Sequence, residues 1–152
     1  IGLVGGPPTF TPAGNGNACF IEGTFVHEWT GGISGISTTH VEIVSHGPCF
    51  REDGTPYPKG SFRENLKFRG TFEGTVNGSG WGTFEYIEQL QFAPLSGGTP
   101  DEPNYEGWGQ GTIMGGTDGL AGLHGVLTFA GGRIDGVEGG TYEAKIHVDP
   151  SH

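Results

Sequence analysis

Leu66 to Leu90 reads LKFRGTFEGTVNGSGWGTFEYIEQL, and its pairing decides the fold. Leu66, Phe68, Phe72 and Val76 alternate with Lys67, Arg69, Thr71, Glu73 and Thr75, the period of a strand with one dry face and one wet face. Asn77-Gly78 follows, a pair that tolerates positive φ and so marks a hairpin. A two-residue loop at Asn77-Gly78 would set Phe72 opposite Thr83 and Leu66 opposite Gln89, mixing the faces. A three-residue loop, Asn77 to Ser79, sets Phe72 opposite Phe84, Leu66 opposite Leu90 and Thr71 opposite Glu85. A one-residue slip turns every side chain over, so the apolar pattern selects the second register. Glu88 then falls opposite Phe68, on the dry face, with Tyr86 two residues before it.

Outward from this hairpin the chain continues as short alternating segments. Cys19 to Trp29 reads as a strand with Phe25, His27 and Trp29 on one face, and Ile33 to His46 as a second. Trp108–Met114, Val126–Ala130 and Val137–Val148 follow the hairpin, the last with Tyr142, Ala144, Ile146 and Val148 inward. Gly47–Gly60 and Ala93–Gly107, each with three prolines, read as long loops. The expected division is a flexible arm over residues 1–17, a β domain over 18–149 and a tail over 150–152. No stretch has helical periodicity, apart from room for one helical turn near Leu120–Leu123. Seven or eight strands without a helical layer must close on themselves to bury a face, which predicts an all-β, antiparallel barrel.

Composition agrees with one all-β domain. Glycine supplies 32 of 152 residues without a collagen-like period, and 17 aromatic side chains are enough for one core. A net charge of −10 argues against nucleic acid and anionic membrane as partners. No apolar run is long enough for a membrane-spanning helix. No targeting segment is legible at Ile1, and the missing initiator Met fits a processed or a trimmed chain. The two cysteines, Cys19 and Cys49, admit one pairing. Bonded, they tie the first strand to the end of the second and indicate export to a secreted or periplasmic location. The other reading is two buried thiols in a cytoplasmic protein.

Three stretches carry a family resemblance. They are Gly23-Thr24-Phe25 running to Trp29, Gly31 and Gly35; Arg69-Gly70-Thr71-Phe72 with Gly80, Gly82 and Phe84; and the glycine-rich Gly116 to Gly125. In order and spacing they resemble an uncharacterised bacterial family related to the allene oxide cyclase barrel, a superfamily that also holds the plant dirigent proteins. The resemblance covers roughly Gly23 to Phe129. It implies an eight-stranded antiparallel barrel open at one end, a hydrophobic small-molecule ligand, cyclisation or coupling chemistry without metal or organic cofactor, and a homodimer or homotrimer. The two long loops and the cysteine pair depart from that pattern.

The candidate catalytic residues are Glu88, Tyr86 and His27. A carboxylate facing an apolar interior has a raised pKa, which suits acid/base work near neutrality. Phe25, Trp29, Phe68, Phe72, Phe84, His124 and Tyr142 are the expected cavity lining, and Glu88 is expected within hydrogen-bond reach of His27, Tyr86 or His124. On the second strand His40, Glu42 and His46 share a face, but the two imidazoles stand about 20 Å apart along an extended chain. His40 and Glu42 would need a third ligand from elsewhere, and no metal is expected. Asn77-Gly78-Ser79 matches a glycosylation acceptor, but the turn itself demands those residues. Three functions stay open: a cofactor-independent isomerase, cyclase or lyase, a non-catalytic carrier of a hydrophobic ligand, or an exported structural or interaction protein.

Overall fold

A computed structural model describes residues 2–150, with side chains from Gly6 onward. Eight strands form a single antiparallel sheet in sequence order: β1 (Gly2–Ala13), β2 (Ala18–Trp29), β3 (Ile33–Ser45), β4 (Glu64–Val76), β5 (Gly82–Gly98), β6 (Pro103–Asp118), β7 (Leu123–Ile134) and β8 (Val137–Val148). The single 3₁₀ turn among the described residues is Gly14–Gly16.

The central hairpin has the register that alternation selects. Phe72 pairs with Phe84, Leu66 with Leu90, Thr71 with Glu85 and Phe68 with Glu88. The turn reaches that register differently from a plain three-residue loop. Asn77 and Gly78 both have positive φ, and the Ser79 amide donates to the Val76 carbonyl at 2.9 Å, so the tight turn is two residues long. An extra residue between Ser79 and Gly82 then shifts the ladder by one and returns the phenylalanines to the same face.

The sheet rolls up without a closed ladder: among the described residues β1 and β8 share no strand pairing. Side chains bridge the gap instead. The Tyr142 hydroxyl of β8 accepts from the Ile33 amide at 3.0 Å and lies 2.9 Å from the Thr30 carbonyl, and its ring meets Trp29 edge-on at 5.2 Å. One half of the roll is solid, packed with Ile33, Phe72, Val76, Phe84, Ile113, Leu120 and Leu127. The other half holds a smaller cluster of Leu66, Leu90, Phe92 and Tyr105.

Several expectations are corrected. Residues 2–13, expected as a flexible arm, form β1 on β2. The alternation there is broken by Pro7-Pro8, which an edge strand tolerates because its outer side has no ladder to donate to. Ala93–Gly107 is mostly strand. Pro94 pairs with Tyr105 just before a register shift, and the connection is only Thr99–Glu102. Gly115–Gly125 contracts to consecutive turns after Asp118, and their bonds reach Leu120, Ala121 and Leu123 without making a helix. Val148, at the frayed end of β8, is 64% exposed rather than inward. Gly47–Gly60 does lie outside the named strands, with a single bridge between Phe50 and Pro56.

That loop is fastened at both ends. A Cys19–Cys49 disulfide holds its start to β2, and Lys59 pairs with Glu138 of β8 near its end. Arg51 adds a bond to Asp101 at 2.8 Å. Replacing both cysteines with serine should cost about 3 kcal/mol, since the bond closes 30 residues of chain. Urea unfolding of the double variant against wild type measures this. Equal midpoints would mean that the strand ladder alone holds the loop.

Candidate functional site

The hollow half of the roll is a cavity of about 790 Å³. Phe25, His27, Trp29, Phe68, Glu88, Leu90 and Phe129 are among its walls. Glu28 and Thr141, on the outward sides of β2 and β8, also border it, so the cavity reaches the surface where β8 passes the end of β2 beyond its last β1 pair at Val26.

Glu88 enters this space because of what stands beside it. Across the ladder it has Phe68 on one side and Gly111 on the other. A Cβ at residue 111 would lie 2.5 Å from Glu88 Cγ, so the glycine makes room for the side chain. One strand step away, Gly70 does the same for Tyr86, whose ring would meet a Cβ there at 2.4 Å. Glu88 is 5% exposed, and burial raises its pKa to about 7 with no protein hydrogen bond opposing it. The expected contact with His27, Tyr86 or His124 is therefore corrected: the carboxyl answers burial by holding its proton longer, not by pairing.

Tyr86 belongs to a hydrogen-bond network rather than to the cavity wall. Its hydroxyl donates to Ser37 Oγ at 2.9 Å and touches Thr39 Oγ1, while Trp29 Nε1 donates to Ser37 Oγ at 2.9 Å. Thr39 Oγ1 lies 3.1 Å from His27 Nδ1. Tyr86 has one proton for its contacts with Ser37 and Thr39, so the three hydroxyls share their hydrogens around one network. In their contact either His27 Nδ1 or Thr39 Oγ1 carries the hydrogen. Burial, reinforced by the charge of Lys59, lowers the His27 pKa to about 4, which keeps the ring neutral at pH 7. The ring stacks on Phe68 with centroids 5.8 Å apart.

Phe25, Trp29, Phe68 and Tyr142 border the cavity. Phe72 and Phe84 do not; they stack at 4.5 Å in the solid half. His124 is corrected to the outer surface, beside Asp149 and stacked on His147, because Leu123 takes the inward position where β7 begins. Sequence reasoning missed Ser37 and Thr39, both fully buried. Their alternation with Val41 on β3 was readable, but small hydroxyls on a dry face carry no signal of a network until Tyr86 is brought over them.

It also missed Glu64, two residues before Leu66 and on the same face. Glu64 is buried, its Oε2 has no partner, and burial raises its pKa to about 7 against a Gly60 backbone bond and the charge of Lys59. At the cavity's far end Glu138 takes Lys59, Arg133 at 3.2 Å and the Tyr105 hydroxyl at 2.9 Å.

Outside the cavity, Glu22 joins His40 and Glu42, the donor atoms lying within 4.8 Å of one another, with His40 Nε2 3.0 Å from Glu22. His46 instead bonds Asn65 at 2.9 Å. Both carboxylates are exposed and His40 is half-buried between them, 3.7 Å from Glu42.

Comparison with protein-family models, curated proteins and solved structures gives no match for this chain. The class defined here is therefore structural: an all-β protein whose rolled antiparallel sheet borders an apolar cavity with one buried, unpaired carboxyl on its wall.

The site makes stability depend on pH. Glu88 titrates near 4.5 in an unfolded chain and near 7 in the fold, so between these values the fold retains a proton that the unfolded chain has lost. Its contribution to stability therefore falls as pH rises through this window. Glu64 acts in the same direction, and His27, lowered from 6.5 to about 4, acts in the opposite one. Glu88→Gln isolates the first effect: the variant should gain about 3 kcal/mol on wild type between pH 4 and pH 8. Parallel melting curves across that range would show that water solvates the carboxylate.

Proposed function

We propose that the protein binds a hydrophobic small molecule in the cavity and that Glu88 acts on it as a general acid/base, in a cofactor-independent isomerase, cyclase or lyase reaction. The observation that carries this reading is the unpaired, buried Glu88 carboxyl on an apolar cavity wall, with a pKa of about 7. Near neutrality such a group is populated in both forms, so it can take a proton from one atom of a bound molecule and return it to another. His27 presents a neutral imidazole beside the same cavity. Tyr86 serves as the positioning residue, holding His27 through Thr39.

The eight-strand meander supports a barrel of the allene oxide cyclase-like kind, in which side chains of β8 reach β2 and β3 in place of a closing ladder. The disulfide supports export to an oxidising compartment. The competing reading is a carrier without chemistry. It is favoured by the Tyr86 hydroxyl, which is engaged by Ser37 and Thr39 and turned away from the ligand space.

A benzisoxazole that eliminates when a base removes its ring proton separates the two readings without knowledge of the natural substrate. Wild type should accelerate this elimination with a rate rising through one ionisation near pH 7, and Glu88→Gln should lose about a hundredfold or more. N-phenyl-1-naphthylamine should still bind the variant. Equal elimination by both proteins, with the dye bound, would leave the carrier reading.

A further inference from the structure

The chain contains three glutamines, Gln89, Gln91 and Gln110, and all three line one groove on the outer face of the sheet. The groove measures about 820 Å³ and lies across the sheet from the cavity, on the wet side of the strands. Its residues follow from the register. Gln89 stands between Lys67 and Gln110, and Gln91 between Asn65 and Trp108. Asn65 pairs onward with Val44, and Val44 with Phe20. The resulting row, from Phe20 to Trp108, crosses five strands at right angles, about 19 Å at the usual strand spacing.

Three properties of this groove point to one ligand chemistry. The glutamine amides are exposed and take no part in the side-chain hydrogen bonds of the described residues, in contrast to Asn65 and Asn104. Each amide offers two donors and a two-lone-pair acceptor in one plane, the geometry that meets neighbouring hydroxyl groups. Phe20 and Trp108 close the row with aromatic surface that is 50% and 41% exposed. Such rings present a negative face to the weakly positive C–H groups of an aliphatic ring. Charge selects further: with Glu22 and Glu42 beside the row, Lys67 as its cation, and −10 on the whole chain, a polyanion is repelled. Hydroxyl-rich, ring-shaped, uncharged and long enough to cross several strands describes a neutral oligosaccharide. We propose that this outer groove binds a neutral glycan chain laid across β2 to β6, independently of the ligand in the cavity.

The test uses cello-, xylo-, manno- and laminari-hexaose, with polygalacturonate as the anionic arm, in isothermal titration of the full chain. At least one neutral hexaose should bind and polygalacturonate should not. Trp108→Ala and the double variant Gln89→Ala/Gln110→Ala should each weaken binding at least about tenfold, as loss of a central aromatic or polar anchor does. Trp108→Phe should restore most of it, and Glu88→Gln should bind as wild type does. Thermal melts of the outer-face variants should match wild type, since these side chains leave the core untouched. Failure of every neutral hexaose, binding of the polyanion alone, or binding that survives both variants would overturn the proposal. So would a wild-type dimer in sedimentation that Trp108→Ala dissociates, because a second copy would then cover the groove.

Discussion

Everything in this molecule depends on the pairing of β4 with β5. Period-two alternation gives each strand one dry face, and only one register puts Phe72 against Phe84 and Leu66 against Leu90 on the same side. A slip by one residue would turn Phe84, Tyr86, Glu88 and Leu90 out to water together. The Asn77-Gly78 turn alone favours that slipped register, and the extra residue before Gly82 overrides it. The burial of four side chains outweighs the cost of one bulge.

The same register forces a carboxyl into an apolar space. An ionised, unpaired carboxylate there costs several kcal/mol, so the fold holds Glu88 with its proton up to about pH 7. The surroundings resolve the other polar groups by pairing. Tyr86, Ser37, Thr39, Trp29 and His27 satisfy one another, and Glu138 gathers Lys59, Arg133 and Tyr105 at the far end. Glu88 is the exception on the cavity wall. A group kept at a cost, where the fold satisfies its neighbours, is where chemistry or ligand polarity has its place.

The open seam gives the cavity its access. A rolled sheet with a continuous ladder would have walls of paired backbone, whereas here β8 meets β2 and β3 through Tyr142 and Trp29, and the Gly47–Gly60 loop through the Lys59–Glu138 pair. The Gly47–Gly60 loop spans the hollow half because it is tied to β2 by the disulfide and to β8 by Lys59. The outer groove arises from the same rows of paired residues seen from the other side, so the two faces of the sheet carry different chemistry at alternating positions.

The sequence by itself determined the all-β class, the central register, the inward turn of Glu88, and the bounds of the last strand, because alternation and turn residues are local properties. It determined the shared face of Phe25, His27 and Trp29 for the same reason. It did not show that residues 2–13 form a strand or that Ala93–Gly107 is largely paired. Prolines obscure alternation, and an edge or a register shift that tolerates them is defined only by neighbouring strands. Glu64 was within reach of the same period-two rule, two residues before Leu66, but its burial depends on the loop that covers it. The assembly around Tyr86 was decided by tertiary structure alone: Ser37, Thr39 and His27 lie far from it in sequence, and only the β2–β3–β4–β5 pairing brings their hydroxyls and ring nitrogen to one point. The seam, the cavity and the position of His124 belong to the same category. Each depends on how far the sheet curls before its edges meet, and that curvature is set by packing across the interior rather than by any one segment.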